Sequence, residues 1–231
     1  AQTITLYYMS NNAPWNNTFY IDTLLEEGKR DYNALELTFD KRYAEGWSLG
    51  GAVVLSTLKQ FGGGGGSPNN YINAYGRAGE DVPFALKLYG TFNLPYGFVG
   101  SFFFRHVDGT PYGRSITVAP PTAWAAANNV YPSSMGVNLE LSGARRNPSY
   151  DNLDVRLEKE FNVKFGKIGV FADIFNLLGN QYITVGQNPG GTWRPTDNNT
   201  SQGTYTASSN YGKVTGVTGV RVFKFSARFT F

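Results

Sequence analysis

Apolar and polar residues alternate along most regular stretches of this chain, the two-residue period of a β-strand with one apolar and one polar face. The last eleven residues show it most clearly: Phe223, Phe225, Ala227, Phe229 and Phe231 share one face, and Lys224, Ser226, Arg228 and Thr230 share the other. Leu35, Leu37 and Phe39 likewise oppose Glu36, Thr38 and Asp40. Leu153, Val155, Leu157 and Phe161 oppose Asp154, Arg156, Glu158 and Glu160. The pattern predicts eight strands, at about 2–9, 32–43, 47–59, 83–94, 98–106, 150–163, 167–178 and 218–231. Most exceed the five or six residues usual in a soluble sheet and suit the ~9–11 residues with which a tilted strand crosses a bilayer.

The connections fall into two kinds. Three are short, at Ala44-Glu45-Gly46, Pro95-Tyr96-Gly97 and Lys164-Phe165-Gly166, and four are long, at about 10–31, 60–82, 107–149 and 179–217. They alternate strictly, so every short turn lies at the end where Phe231 lies. An outer-membrane barrel has this arrangement, with short periplasmic turns and long extracellular loops. The apolar rows exclude charge except at Lys41 and Lys159, each a few residues before a short turn, where a lysine snorkels toward headgroups. The opposite rows hold Glu36, Asp40, Arg42, Lys87, Asp154, Arg156, Glu158, Glu160, Asp173, Lys224 and Arg228. These six acids and five bases suit a polar lumen with cross-strand ion pairs. Tyr43, Trp47, Tyr96 and Phe165 flank the short turns, where an aromatic girdle belongs.

Composition sharpens this picture. Of 231 residues, 16% are aromatic and only 16% charged, against roughly a quarter charged in an ordinary soluble domain. No stretch approaches the ~18 uninterrupted apolar residues of a membrane helix. The absence of cysteine excludes a disulfide scaffold and a thiolate metal site. A net charge of +3, with only the isolated Arg145-Arg146 pair as a basic cluster, gives no nucleic-acid footprint. The chain opens Ala-Gln-Thr without methionine or an apolar signal region. The expectation is that an export signal has been removed or that the chain starts partway through a longer one.

Candidate chemistry is sparse. Gly62 to Gly66 lacks the lysine and the following helix of a phosphate loop, and Asp197-x-Asn199-x-Ser201 lacks the glycine and glutamate of a calcium loop. His106, the one histidine, has no serine on a strained turn to serve it and reads as a rim residue. Glu158 and Glu160 share a face at a spacing that could mimic a glycosidase pair, but nearby Arg156 points to a structural ladder. No catalytic, cofactor-binding or metal site is expected. The long connections carry Trp15, Trp124, Tyr131, Tyr182, Trp193, Tyr205 and Tyr211 among small polar residues, as a ligand-contact surface does. Loop packing accounts for these rings equally well.

The strand sequences resemble a known family. The chain end, with Lys224, Ser226, Phe229 and Phe231, resembles the signal read by the outer-membrane barrel assembly machinery, with Ser226 where that pattern prefers glycine. Tyr32–Tyr43 followed by Gly46-Trp47, Phe84–Gly97, Leu153–Phe161 and Gly169–Gly179 resemble the C-terminal part of TonB-dependent outer-membrane receptors, especially the Oar-like branch. Asp173 and Phe175-Asn176-Leu177 match the penultimate-strand motif of those receptors. The resemblance implies a 22-stranded barrel closed by an N-terminal plug, with energy drawn through TonB by way of that plug.

The expected fold is therefore all-β: an antiparallel transmembrane β-barrel section over residues 1–231 with no plug domain. Its missing strands and plug would come from the same longer chain or from a partner. The alternative is a self-contained eight-stranded barrel with a structural or adhesive role, and a third is a soluble carbohydrate-binding β-protein. The expected function is a non-enzymatic receptor or transporter wall in the bacterial outer membrane. Its expected partners are lipids and lipopolysaccharide, the barrel assembly machinery, and TonB only through the absent plug.

Overall fold

The computed structural model describes residues 5–10, 28–62, 68–128, 130–131, 134–185, 190–196 and 202–231. The chain is all-β. Seven long strands form one antiparallel path in chain order: β1 (Arg30–Ala44), β2 (Trp47–Phe61), β3 (Phe84–Leu94), β4 (Phe98–Val107), β5 (Tyr150–Val163), β6 (Gly166–Phe175) and β7 (Val222–Thr230). A short strand, Tyr75–Arg77, adds to the far end of β2. Each strand from β1 to β7 pairs only with its sequence neighbours, and β1 and β7 are the two edges. The short turns reverse the chain where backbone geometry demands it. Glu45 and Gly46 both have positive φ (55° and 84°), the combination whose twist matches flanking strands.

Residues 2–4 of the strand expected over 2–9 lie outside the described residues, and the described remainder does not join the sheet. Leu6, Tyr7 and Tyr8 form no strand, and only Met9–Ser10 pairs, with Val130–Tyr131 in the third long connection. Alternation gives a strand two faces but no partner. Here the Tyr7 N–H donates to Asn69 Oδ1 (2.9 Å) while Asn69 Nδ2 donates to the Tyr7 carbonyl (2.8 Å). A side-chain amide thus takes the two backbone groups a ladder would need. The expected strand over 167–178 stops at Phe175, because Asn176 turns left-handed with φ 53°. The expected strand over 218–231 starts at Val222 beyond Gly219, whose φ is 100°.

The two faces of the sheet have opposite characters. Leu37, Phe223, Phe225 and Phe229 lie on the apolar face with nothing packed over them, Phe225 being 78% exposed. The polar face holds Asp173 and Phe171, which are 4% and 7% exposed. The strands are also staggered. A hydrogen-bonded row that starts at Lys41, near the short-turn end of β1, runs through Leu49, Gly90, Phe102, Val155 and Ile174. It reaches Phe223, near the opposite end of β7. Strands in a curved wall are tilted and stepped in this way. Lys41 and Lys159 both fold back onto turn carbonyls. Lys41 Nζ donates to Ala44 and Trp47 (3.2 Å each) and lies 3.7 Å from the Trp47 ring centroid, and Lys159 donates to Tyr96.

The described parts of the long connections lie at one end of the sheet and fold into a layer of their own. Its centre is a four-stranded sheet in the order Met135–Asn138, Ser115–Val118, Gly191–Pro195, Gly203–Ala207. Val118, Met135 and Val137 form a small core there, and Leu6, Tyr8, Ile72 and Trp193 pack against it. The one α-helix among the described residues, Thr122–Asn128, flanks this layer.

Gly50 tests the wall itself. A Cβ built there would lie 2.5 Å from Cζ of Tyr89 on the neighbouring strand, whereas one at Gly136 meets nothing within 4 Å. Gly50→Val is expected to cost about 1–3 kcal/mol, and Gly136→Ala is expected to be near neutral. Thermal unfolding of the purified protein followed by circular dichroism compares the two.

Candidate functional site

The polar face is built by register. Arg156 on β5 stands opposite Asp173 on β6, and Asp173 opposite Lys224 on β7. Arg156 donates from Nε to Asp173 Oδ1 (2.5 Å) and from Nη2 to Oδ2 (3.2 Å), a two-point contact that fixes both side chains. Phe171, two residues along β6, lies under two guanidiniums: Arg156 and Arg228 sit 5.3 and 5.2 Å from its ring centroid. Arg228 Nη2 in turn reaches Glu158 Oε1 (3.3 Å) and Glu160 Oε1 (3.4 Å), and Lys167 lies 3.8 Å from Glu160. The two glutamates therefore share cations and form a ladder across three strands. Glu36, Asp40 and Lys87 make no ion pair within 4.0 Å among the described residues, and Lys224 faces Asp173 across the β6–β7 ladder.

The Asp173, Phe175, Asn176, Leu177 motif forms the corner where β6 leaves the sheet. Asn176 is 3% exposed and left-handed, a conformation that asparagine tolerates better than most residues. Its N–H donates to Asp154 Oδ1 (2.8 Å), and its Nδ2 donates to the carbonyls of Asn180 (2.8 Å) and Gly219 (2.6 Å). The Leu177 N–H donates to the Leu153 carbonyl (2.7 Å), while Arg221 donates to the carbonyls of Asn176 and Leu177. One short motif thus ties β5, β6 and the approach to β7 together. Phe175 pairs with Val222 as the last rung of that ladder.

The long-connection layer has two charged staples. Asp81, 1% exposed, accepts from the Leu58 N–H (2.5 Å) and from Arg146, whose Nη1 also donates to the carbonyls of Asp81 (2.9 Å) and Gly109 (3.0 Å). This joins β2 to the third long connection. Arg77 Nε lies 4.0 Å from Asp81 Oδ2. Removing Arg146 would leave this buried carboxylate only that long contact and the Leu58 N–H, a change expected to cost about 3 kcal/mol. Glu140 bridges Arg114 and Arg145, accepting from the Arg114 N–H (2.9 Å), Arg114 Nε (3.0 Å) and Arg145 Nε (2.8 Å). Partial burial pushes the Glu140 carboxyl upward, but these three bonds outweigh it and hold it below the usual glutamate range. His106 sits at the layer's base, with Nδ1 2.6 Å from Asp151 Oδ1 and its ring 5.2 Å from that of Phe84.

The candidate contact aromatics separate. Trp124 packs edge-on against Tyr8 (6.0 Å between centroids), and Tyr182 packs against Tyr150 and bonds Thr110 Oγ1 (3.1 Å). Trp193 packs against the layer core. Tyr205, cross-strand from Trp193, bonds the Gly190 carbonyl through its hydroxyl (2.7 Å) and keeps half its surface open. Tyr211, also exposed, flanks Gly190. Tyr205 and Tyr211 are thus the rings of this set best placed to meet a ligand. Trp15 and the Tyr131 side chain lie outside the described residues, as do Gly63 to Ser67 and Asp197 to Ser201. At the chain end, Phe229 and Phe231 lie 5.9 Å apart with Phe231 almost wholly exposed, and Ser226 stands opposite Phe171. The Asp81–Arg146 staple and the Asn69 clamp carry no sequence signature. Their partners lie 65 and 62 residues apart, and each residue alone is an ordinary loop residue.

No family model matches the chain, and neither a curated protein nor a solved structure matches it.

Because the Glu140 carboxyl is held low, its bridge contributes stability above the ordinary glutamate pKa, about 4.3. That contribution is lost as pH falls through the lower folded value. Hydrogen exchange at the Leu139 amide, which donates to the Arg114 carbonyl (2.9 Å), is expected to stay protected from neutral pH to about 5. After correction for intrinsic rates it opens in more acid solution, and Glu140→Gln abolishes the acid dependence.

Proposed function

We propose that this chain forms wall and extracellular rim of a bacterial outer-membrane β-barrel that captures or passes an extracellular substrate. In this reading it acts in the manner of the TonB-dependent receptors that its strand motifs resemble. One observation carries the reading: a sheet of long, staggered strands bears an uncovered apolar face behind a polar face rich in ion pairs. Soluble proteins rarely leave contiguous apolar patches larger than a few hundred Å² in water. Lipid is the medium in which Leu37, Phe223, Phe225 and Phe229 cost nothing to expose.

The polar face then lines the lumen. Arg156, Asp173, Glu158, Glu160 and Arg228 are spent on one another, so this part of the face serves as a stiff, wet wall. Lys41 and Lys159, folded onto turn carbonyls beside Trp47 and Phe98, sit where headgroups begin. The layer of long connections forms the outer rim, with lipopolysaccharide around it and Tyr205 and Tyr211 facing outward. Substrate gating and energy from TonB belong to a plug, which these strands do not include. The self-contained eight-stranded barrel fits less well, because the segment over 5–8 that would supply its first strand is held by Asn69.

Fractionation of cells expressing the protein tests the reading. The protein is expected in the outer-membrane fraction after an alkaline carbonate wash and to need detergent for release. Recovery as a soluble, monodisperse protein without detergent would contradict it.

A further inference from the structure

Two guanidiniums in the layer of long connections share one carboxylate and hold most of their donors in reserve. Glu140 takes Nε of Arg114 and Nε of Arg145, and neither guanidinium makes another bond among the described residues. The Nη1 and Nη2 groups of both arginines are therefore open, and each side chain is 44% exposed. Arg146, next in the chain, is by contrast committed to Asp81 and to two carbonyls. An open guanidinium fork matches a carboxylate or phosphate held by two parallel bonds. One carboxylate against two guanidiniums also leaves a net positive charge. Lys213, exposed and two residues beyond Tyr211, makes no ion pair within 4.0 Å among the described residues.

The two open tyrosines are pinned at the same place through Gly190. Its N–H donates to the carbonyl of Ser115, the residue after Arg114 (2.8 Å), and its carbonyl accepts the Tyr205 hydroxyl (2.7 Å). A Cβ built on Gly190 would lie 3.5 Å from the Tyr211 ring. Tyr112 stands cross-strand from Arg145, and the phenols of Tyr112 and Tyr211 both lie within electrostatic range of the Arg145 guanidinium. Tyr205 spends its hydroxyl on backbone, so what it offers a ligand is a ring face. The chain between the two rings carries Thr206, Ser209 and Asn210, all exposed, where an apolar ligand would need greasy walls.

A sugar ring presents C–H groups on its faces and hydroxyls at its edge. It therefore suits a tyrosine face bordered by hydroxyl and amide side chains. An acidic peptide would satisfy the cations and leave the ring faces without a matching surface. We propose that Arg114, Arg145, Tyr205 and Tyr211 form a rim site for an acidic saccharide, the guanidiniums holding its carboxylate and the rings its sugar faces. This names the class of extracellular substrate for the reading above and rests on that reading for the outward orientation of the rim. A free uronic-acid chain and the acidic core sugars of lipopolysaccharide present the same chemistry to it.

Isothermal titration calorimetry of the purified protein tests this, with trigalacturonate as the probe. Saturable binding is expected, weakened by added salt. Neutral maltotriose and the acidic peptide triglutamate are expected to bind far less well. Arg145→Lys keeps the charge but loses the fork, and should weaken trigalacturonate about tenfold. Tyr211→Ala leaves the Glu140 bridge untouched and should weaken it several-fold, with protection of the Leu139 amide reporting that the layer stays folded. The absence of saturable binding, equal affinity for maltotriose or triglutamate, or an affinity unchanged in either variant would overturn the proposal. Competition by lipopolysaccharide assigns the site to the cell's own surface sugars, and its failure to compete assigns it to a free saccharide; both outcomes support the site. Carbonate washing of the source membranes separates the two readings. Protein released by the wash that still binds trigalacturonate refutes the membrane reading alone, and retained protein that fails to bind it refutes only the site.

Discussion

A slip of one residue in the pairing of β5 with β6 would carry Arg156 and Asp173 onto the apolar face and bring Leu157 and Ala172 onto the charged one. Register is the constraint on which the rest of the molecule depends. It places the Arg156–Asp173 contact, sets Phe171 under two guanidiniums, and leaves every second side chain of β7 in an apolar row. Among the described residues, no second layer covers that row to press the sheet into shape. Its register is held by cross-strand pairs on the polar face and by the tight turns and corners at its ends. The Asn176 corner does this at one end, where a single amide binds two carbonyls from the following connection while its own N–H takes Asp154.

The polar face contributes stiffness to the wall. Arg228 is committed to Glu158 and Glu160, and Asp173 to Arg156, so these groups have little left to offer a substrate. The groups that remain open are elsewhere. Glu36 and Asp40 lie along the β1 edge, and Tyr205 and Tyr211 lie in the layer of long connections.

Much of the wall was legible in the sequence because a two-residue period is a local property. Seven of the expected strands appear with ends shifted by a few residues, and the three short turns fall where Gly46, Gly97 and Gly166 stand. The strand expected over 2–9 alternates as well as the others, but a period does not say whether an edge is available, and Asn69 had already claimed Tyr7. The long-connection layer was opaque for a different reason. Its small core joins Val118, Met135 and Val137 to Leu6, Ile72 and Trp193, contacts that no local window contains. The segment from Asp173 to Leu177 stood out in the sequence, while its physical role as a left-handed corner emerged only with the backbone. Trp124, Tyr182 and Trp193, which the sequence left open between ligand contact and loop packing, pack against Tyr8, Tyr150 and the layer core.

The most direct measurement of the central claim is an accessibility scan along β7 in liposomes containing brominated lipid. Single cysteines replace Phe223 through Thr230 in turn, each labelled with an environment-sensitive fluorophore. A period of two is expected: strong quenching by the lipid at Phe223, Phe225, Ala227 and Phe229, and little at Lys224, Ser226, Arg228 and Thr230. Uniform quenching, or water-exposed labels at every position, would contradict it.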